Sequence, residues 1–197
     1  MEQKRGAPHF KPYTLYSDFN CPFCYALHER LHGMKLIDLV AWRGVQHAPC
    51  LPSPLRRWEG VLRAELRHEV AVVKRLAPEL PIEPPNGKPN TKLAIDRAAS
   101  LLSLDVSHGM EFVRRVYAAF WRDGADISDQ EVLDPLVGQY ADAEILRSPA
   151  ESTRPIVHEW EERWHATGQA GVPLLVSSDD RLLAGCVPAE QIERFFG

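Results

Sequence analysis

Two cysteines stand three residues apart, Cys21 and Cys24, in the stretch SDFNCPFCYAL, after an apolar run and before a helical pattern. That spacing serves three chemistries: two ligands of a tetrahedral zinc site, a structural disulfide, or a redox pair. Zinc needs a second ligand pair. Cys50 and Cys186 are single, and His28 and His32 follow Cys24 at steps of four, which reads as a solvated helix flank. No metal is therefore expected. The redox reading uses more of the same residues. At the mouth of a helix the first backbone N–H groups are unpaired and the macrodipole is positive, so a thiolate at Cys21 is favoured and its pKa falls. Pro22 suits the first turn, having no N–H to leave unpaired and a φ already helical. Cys24 lies about one turn further in, within reach of the Cys21 sulfur but more buried, where a resolving thiol would attack a mixed disulfide.

The elements that must hold this pair follow from periodicity. Tyr13 to Ser17 read as a short buried strand, Pro22 to Met34 as a helix with a stripe at Leu27, Leu31 and Met34, and Leu39 to Trp42 as a second strand. A strand, helix and strand in so few residues make a βαβ unit, with parallel strands whose ends share one edge. Proline-dense loops follow, around Pro49 to Pro54 and Pro78 to Pro89. From Trp58 to His165 the pattern is helical, with Trp58, Leu62, Leu66, Val70, Val73 and Ala77 predicted on one face of the first helix. Further helices are expected from near Thr91, Ser107, Ser128 and Thr153, the third with a capping box of Ser128 and Glu131. Strand character returns at Leu174 to Ser177 and Leu182 to Gly185, followed by a helix with Pro188 near its first turn. The order predicts a split α/β core with helices inserted into it.

The chain has 197 residues, 45% of them hydrophobic and 25% charged, enough for one substantial core without staples or metal. A net charge of −4 offers no basic surface for nucleic acid. The N-terminal MEQKRGAPHF has no apolar stretch of the signal-peptide kind, and no run approaches the roughly 20 apolar residues of a membrane span. A cytoplasmic location is expected, where thiols are kept reduced and a structural disulfide does not fit.

Beyond the pair itself, SDFNCPFCYAL resembles the active-site segment of DsbA-like thioredoxin-fold proteins, in particular the FrnE-like branch that includes 2-hydroxychromene-2-carboxylate isomerase. PNTKLAIDRAASLL at Pro89 to Leu102 and FVRRVYAAFWRDGADISDQEVL at Phe112 to Leu133 are similar to helices of that branch. GVPLLV at Gly171 to Val176 resembles its cis-proline loop. The resemblance covers nearly the whole chain in order. It implies one DsbA-like thioredoxin domain over residues 1–197, of α/β class (βαβ-ββα), with its core at 10–50 and 152–197 and a helical insertion at about 55–150. It further implies a thiol-disulfide oxidoreductase with Cys21 as nucleophile, Cys24 as resolving thiol, a cis peptide before Pro173, and Val172 beside Pro22 and Phe23 at the substrate. Partners would be protein or small-molecule thiols and disulfides. No bound cofactor is implied, and glutathione fits as a thiol reductant.

Strongly oxidising relatives carry a histidine between the cysteines, whereas Phe23 offers neither donor nor charge, so a less oxidising pair is expected. The isomerase relatives typically have serine in place of the first cysteine, so Cys21 counts against that activity. A glutathione-dependent isomerase or transferase of small aromatic compounds, with Phe23, Trp42 and the insertion lining an apolar pocket, stands as the alternative. A zinc-binding protein stands behind it.

The loop VQHAPC leaves the second strand at the edge carrying Cys21, so His47 is a candidate proton acceptor and Cys50 a candidate auxiliary thiol. Cys186 would start from a strand about 10 Å from the first. Against this stands a plainer expectation of a buried Cys50 and a solvated His47. The acidic link from Asp123 to Asp129 is read as solvated.

Overall fold

A computed structural model describes residues 11–137 and 149–197; the N-terminal charged stretch lies outside them. Strand β1 (Tyr13–Ser17), helix α1 (Pro22–Gly33) and strand β2 (Val40–Gly44) form the βαβ unit. Helices α2 (Gly60–Leu76), α3 (Lys92–Leu104), α4 (Val106–Trp121), α5 (Gln130–Val137) and α6 (Pro149–Ala166) follow, then β3 (Leu174–Ser177), β4 (Leu182–Ala184) and α7 (Ala189–Phe196). The sheet order is β2-β1-β3-β4. β1 runs parallel to β2, with Ser17 opposite Gly44, and antiparallel to β3, with Tyr16 opposite Leu174. β4 returns antiparallel, placing Ala184 opposite Leu174. This topology sends four chain segments out of one edge: the ends of β1, β2 and β4, and the approach to β3. Asp18, His47, Cys186 and Pro173 all lie on them.

Beneath that edge sits an aromatic core. Phe19, Tyr25, Tyr117, Phe120 and Trp121 are fully buried, and the Trp121 indole N–H donates to the Phe19 carbonyl at 2.8 Å, tying the loop before Cys21 to α4. Gly44 closes β2 because a Cβ there would stand 2.6 Å from the Trp42 ring and 2.9 Å from Ile95, so only a bare backbone lets α3 lie this close.

Several local expectations are corrected. Trp58 precedes α2 and Leu62 is exposed; Leu66, Val70 and Val73 carry the buried face. Helix α4 does open beside Ser107 as expected, at Val106, with Asp105 as its cap accepting the His108 N–H at 2.9 Å. At α5 it is Asp129, accepting the Glu131 N–H at 2.8 Å, that closes the first turn, while the Ser128 hydroxyl donates to Asp126 at 2.6 Å. The acidic link is likewise no free surface segment: Asp126 accepts the Leu55 N–H at 2.7 Å and so holds the proline-rich loop. Helix α6 begins at Pro149, ahead of Thr153.

His28 is fully buried rather than on a solvated flank; its ring lies 4.7 Å from that of His32 and 5.1 Å from that of Tyr117. Burial holds the His28 pKa down and brings that of His32 to about 4. Burial would raise the neighbouring Glu29, yet the His28 ring and the Arg114 guanidinium, 3.1 Å away, outweigh it and bring the carboxyl to about 2. Both effects predict acid sensitivity. The histidines take up protons more readily in the unfolded chain, so stability falls as pH drops below about 6.5; Glu29 adds a loss as pH falls through about 2, with its contribution fully present above about 4.5. In urea unfolding, Glu29→Gln should remove on the order of 2 kcal/mol at neutral pH and flatten the curve below pH 4.5. An unchanged acid limb would refute the assignment.

Candidate active site at the mouth of the first helix

The turn between β1 and α1 places Cys21 as the N-cap of α1, extended at φ −100° and ψ 118°, with Pro22 opening the helix. Its backbone N–H donates to the Asp18 carbonyl at 3.2 Å, and its carbonyl accepts from Tyr25 N–H at 3.2 Å. No side chain caps this helix, so its positive end faces the Cys21 sulfur alone. One turn in, the Cys24 sulfur accepts the Asp18 N–H at 3.4 Å. Both thiols are free, with Cys21 6% exposed and Cys24 fully buried.

The two are tuned in opposite directions. A hydrogen bond from the Cys24 thiol is the largest influence lowering the Cys21 pKa; burial opposes it, and the Cys24 N–H with the charges of His47 and Lys88 add to it. Burial pushes Cys24 well up, as do its hydrogen bond to Cys21 and that sulfur's charge, against weaker help from the Ser17 hydroxyl and the Asp18 N–H. One proton shared between two sulfurs explains the pattern: it resides on Cys24 and stabilises a thiolate on Cys21. When protonated, Cys21 can donate to the Val172 carbonyl, 3.6 Å away. The Val172–Pro173 peptide is cis, and Pro173 is buried behind half-buried Val172.

The chain matches the family model of the DSBA-like thioredoxin domain over residues 14–197. The chain belongs to that family. This DSBA-like protein is similar in structure to a probable DsbA oxidoreductase from Streptomyces coelicolor, with 21% identity, a TM-score of 0.73 and coverage of 93% of this chain and 87% of that one. It is also similar to 2-hydroxychromene-2-carboxylate isomerase, at 17% identity and a TM-score of 0.66 over 94% of both chains. The cytosolic disulfide reductase DsbM from Pseudomonas aeruginosa, solved with glutathione, shares 18% identity and a TM-score of 0.67 over 87% of both chains. At these identities the likeness is one of fold. No curated protein matches the sequence.

Residues that the motif did not single out complete the site of the DSBA-like protein. Asp18, fully buried, accepts both the His47 N–H at 3.0 Å and, at 2.7 Å, the His47 ring Nδ1–H. Partial burial draws the His47 pKa down, but the Asp18 carboxylate and the Cys21 charge outweigh it and leave it raised. His47 is thus held half-buried beside Cys21, not solvated in its loop. Lys88, also buried and 2.7 Å from Glu69, brings a second positive charge toward Cys21. Cys50 is exposed, neither buried nor in any hydrogen bond among the described residues. Of the two other cysteines it is Cys186 that feels the Cys21 charge, with its pKa raised by burial; Arg30 Nη1 lies 3.8 Å from its sulfur and donates to the Val187 carbonyl at 2.6 Å. Phe23 is half-buried against the core, and Trp42, buried between Phe19 and Trp160, belongs to the interior rather than to an open pocket. An acid on the turn three residues before Cys21 was a readable signal for Asp18. Lys88 had none, since its place depends on a loop far along the chain.

Among the described residues no helix is long and apolar enough to cross a membrane.

Proposed function

We propose that this protein is a cytosolic thiol-disulfide oxidoreductase working through a mixed disulfide on Cys21. The observation that carries the reading is the placement of the two thiols, Cys21 as the N-cap of α1 with its sulfur 3.6 Å from the Val172 carbonyl and Cys24 one turn in, fully buried and accepting the Asp18 N–H at 3.4 Å; their opposite tuning agrees with it. The Cys21 thiolate attacks a substrate disulfide and expels one thiolate; Cys24 then attacks Cys21 and releases the second. Pro173, Val172, Pro22 and Phe23 form the surface that receives the substrate, where an apolar Phe23 leaves the pair less oxidising than one with a histidine there. The likeness to a cytosolic reductase solved with glutathione supports small thiols as partners, alongside protein cysteines.

The test is a Cys24→Ala variant incubated with oxidised glutathione and analysed by intact-protein and peptide mass spectrometry. It should hold one glutathione on Cys21 stably, wild type should pass on to the Cys21–Cys24 disulfide, and Cys21→Ser should hold none at that helix mouth. A glutathione-dependent isomerase would keep full turnover without Cys24. Full turnover of Cys24→Ala with a glutathione-dependent isomerase substrate, or no adduct on Cys21, would sink the oxidoreductase reading.

A further inference from the structure

The face of the sheet turned away from Tyr13 and Leu15 carries a cavity of about 630 Å³ that the thiol chemistry leaves unused. Strand pairing builds its floor. Tyr16 stands opposite Arg43, Thr14 opposite Val176 and Val176 opposite Leu182, so these side chains share one face. The other face is filled: Tyr13 packs on Phe195 and Phe196 of α7, and Leu15 is fully buried. Walls come from Lys11 and Pro12, from Arg163 and Ala166 near the end of α6, and from the turn at Ser178 and Asp180, whose Ser178 N–H donates to the Pro12 carbonyl at 2.8 Å. Cys21, Cys24, His47 and Pro173 take no part in the lining.

Charge in this cavity is unbalanced. Three cations line it, Lys11, Arg43 and Arg163, against one carboxylate, the exposed Asp180, although the chain as a whole carries −4. Arg43 is the most constrained of the three. It is half-buried, its Cζ lies 5.9 Å from the centroid of the Tyr16 ring, and its Nη1 donates to the Tyr16 hydroxyl at 3.4 Å, with Tyr16 itself only 4% exposed. Among the described residues no carboxylate pairs with Arg43. A guanidinium has five N–H donors, so this arrangement fixes the group and leaves most of its donors for an anion. Lys11 donates to the Asp38 carbonyl, which leaves its charge unpaired. Arg163 is 2.9 Å from Glu159 in an exposed pair on one helix, an interaction weak enough to yield to a ligand. The Ser177 hydroxyl is engaged by Asp179, whereas those of Thr14 and Ser178 have no partner among the described residues. Val176, Ala166 and the 42% exposed Leu182 supply an apolar strip beside the cations.

We propose that this cavity is a second ligand site, which binds a phosphate monoester carrying an apolar body. Its volume is that of a small-molecule site. Three cations and two free hydroxyls exceed what the two oxygens and single charge of a carboxylate can use, and they match the three oxygens and double charge of a phosphate monoester. Arg43, braced by Tyr16, presents the planar fork that grips two phosphate oxygens; Lys11 and Arg163 add charge, and the apolar body lies over Val176, Ala166 and Leu182. No bond is made or broken there. The proposal is independent of the oxidoreductase reading.

Isothermal titration of the reduced full-length protein with 1-naphthyl phosphate, 1-naphthoate and inorganic phosphate tests the site. Naphthyl phosphate should bind at least about fivefold more tightly than either of the others, because only it uses both the cations and the apolar strip. Arg43→Met keeps the aliphatic stem and loses the fork, so it should weaken that binding about tenfold. Asp180→Asn should tighten it about twofold, since asparagine tolerates the backbone there, at φ +62°, and removes the opposing charge. Leu182→Glu, at an exposed position, should weaken binding at least about fivefold by setting a carboxylate beside the ligand. Thermal unfolding checks that each variant is folded, and the ligand should raise the midpoint of wild type but not that of Leu182→Glu. Absence of binding up to about 5 mM naphthyl phosphate, a Kd that would leave only weak affinity, would overturn the site. So would equal affinity for naphthoate, unchanged binding by folded Arg43→Met, weaker binding by Asp180→Asn, or displacement of the ligand by S-methylglutathione, which would place it at the redox surface instead.

Discussion

Iodoacetamide will label Cys21 far faster than Cys24 at pH 7, at least about tenfold, with the fully reduced protein analysed peptide by peptide. Alkylation reads thiolate fraction and access together. Displacements in opposite directions separate the two thiolate populations; the higher nucleophilicity of the more basic sulfur recovers part of this, and the full burial of Cys24 removes it again. The sign can be checked within one residue. Labelling of Cys21 should hold up as pH is lowered past the range of an ordinary thiol, near 8.5, and fall only below it. Because the Cys24 thiol's hydrogen bond is the largest influence lowering Cys21, Cys24→Ala should move the Cys21 midpoint back up and slow its labelling at pH 7. The trapped mixed disulfide of that variant should therefore form more slowly than the first step of wild type. Equal labelling of the two cysteines, or a Cys21 midpoint indifferent to Cys24, would remove the basis for assigning them different roles.

Legibility in the sequence followed the range of the contacts involved. β1 at Tyr13–Ser17 and β3 at Leu174–Ser177 are apolar runs bounded by turn residues, and they stand where periodicity put them. β2 slipped: Leu39 is taken by a 3₁₀ turn over Ile37–Leu39, and the strand runs on through Arg43 and Gly44 because parallel pairing to Tyr16 and Ser17 carries it there. Gly44 has no side chain to signal a strand, and the reason for its bareness, Ile95 on α3, lies far off in sequence. The cap of α5 went to Asp129 instead of neighbouring Ser128, whose hydroxyl is bound to Asp126. In the site, Cys21, Cys24 and the approach through Pro173 were readable because they sit in local motifs. The Asp18–His47 pair spans two strands of the sheet, and the Ser17–Tyr117 contact joins β1 to a helix deep in the helical block, so neither leaves a pattern in any short window. His28 misled for the opposite reason: a helix flank read from spacing alone does not show that α4 covers it.

Asp18→Asn should slow attack by Cys21 about three- to tenfold at pH 7 and flatten one part of the stability curve. The Asp18 carboxylate is 2.7 Å from the His47 ring and holds that ring charged to a higher pH than it would otherwise keep; the charged ring in turn favours the Cys21 thiolate. Asparagine removes the charge that sustains His47, so the Cys21 midpoint rises and the first step slows. Since the effect runs through His47, His47→Asn should slow Cys21 to a similar degree, and the double variant should be no slower than the slower single one. A purely structural Asp18 would slow the resolving step as well, which the adduct time course separates. Stability supplies an independent sign. A histidine whose folded pKa is raised contributes stability that is fully present below its unfolded value of about 6.5 and is lost as pH rises through the folded value. The difference in unfolding free energy between wild type and Asp18→Asn should therefore be largest near pH 6, by about 1–2 kcal/mol, and shrink toward pH 9. What persists at high pH is the backbone contribution, the His47 N–H that Asp18 accepts at 3.0 Å. A difference independent of pH, with Cys21 labelling unchanged, would mean that Asp18 anchors the loop after β2 without tuning the nucleophile.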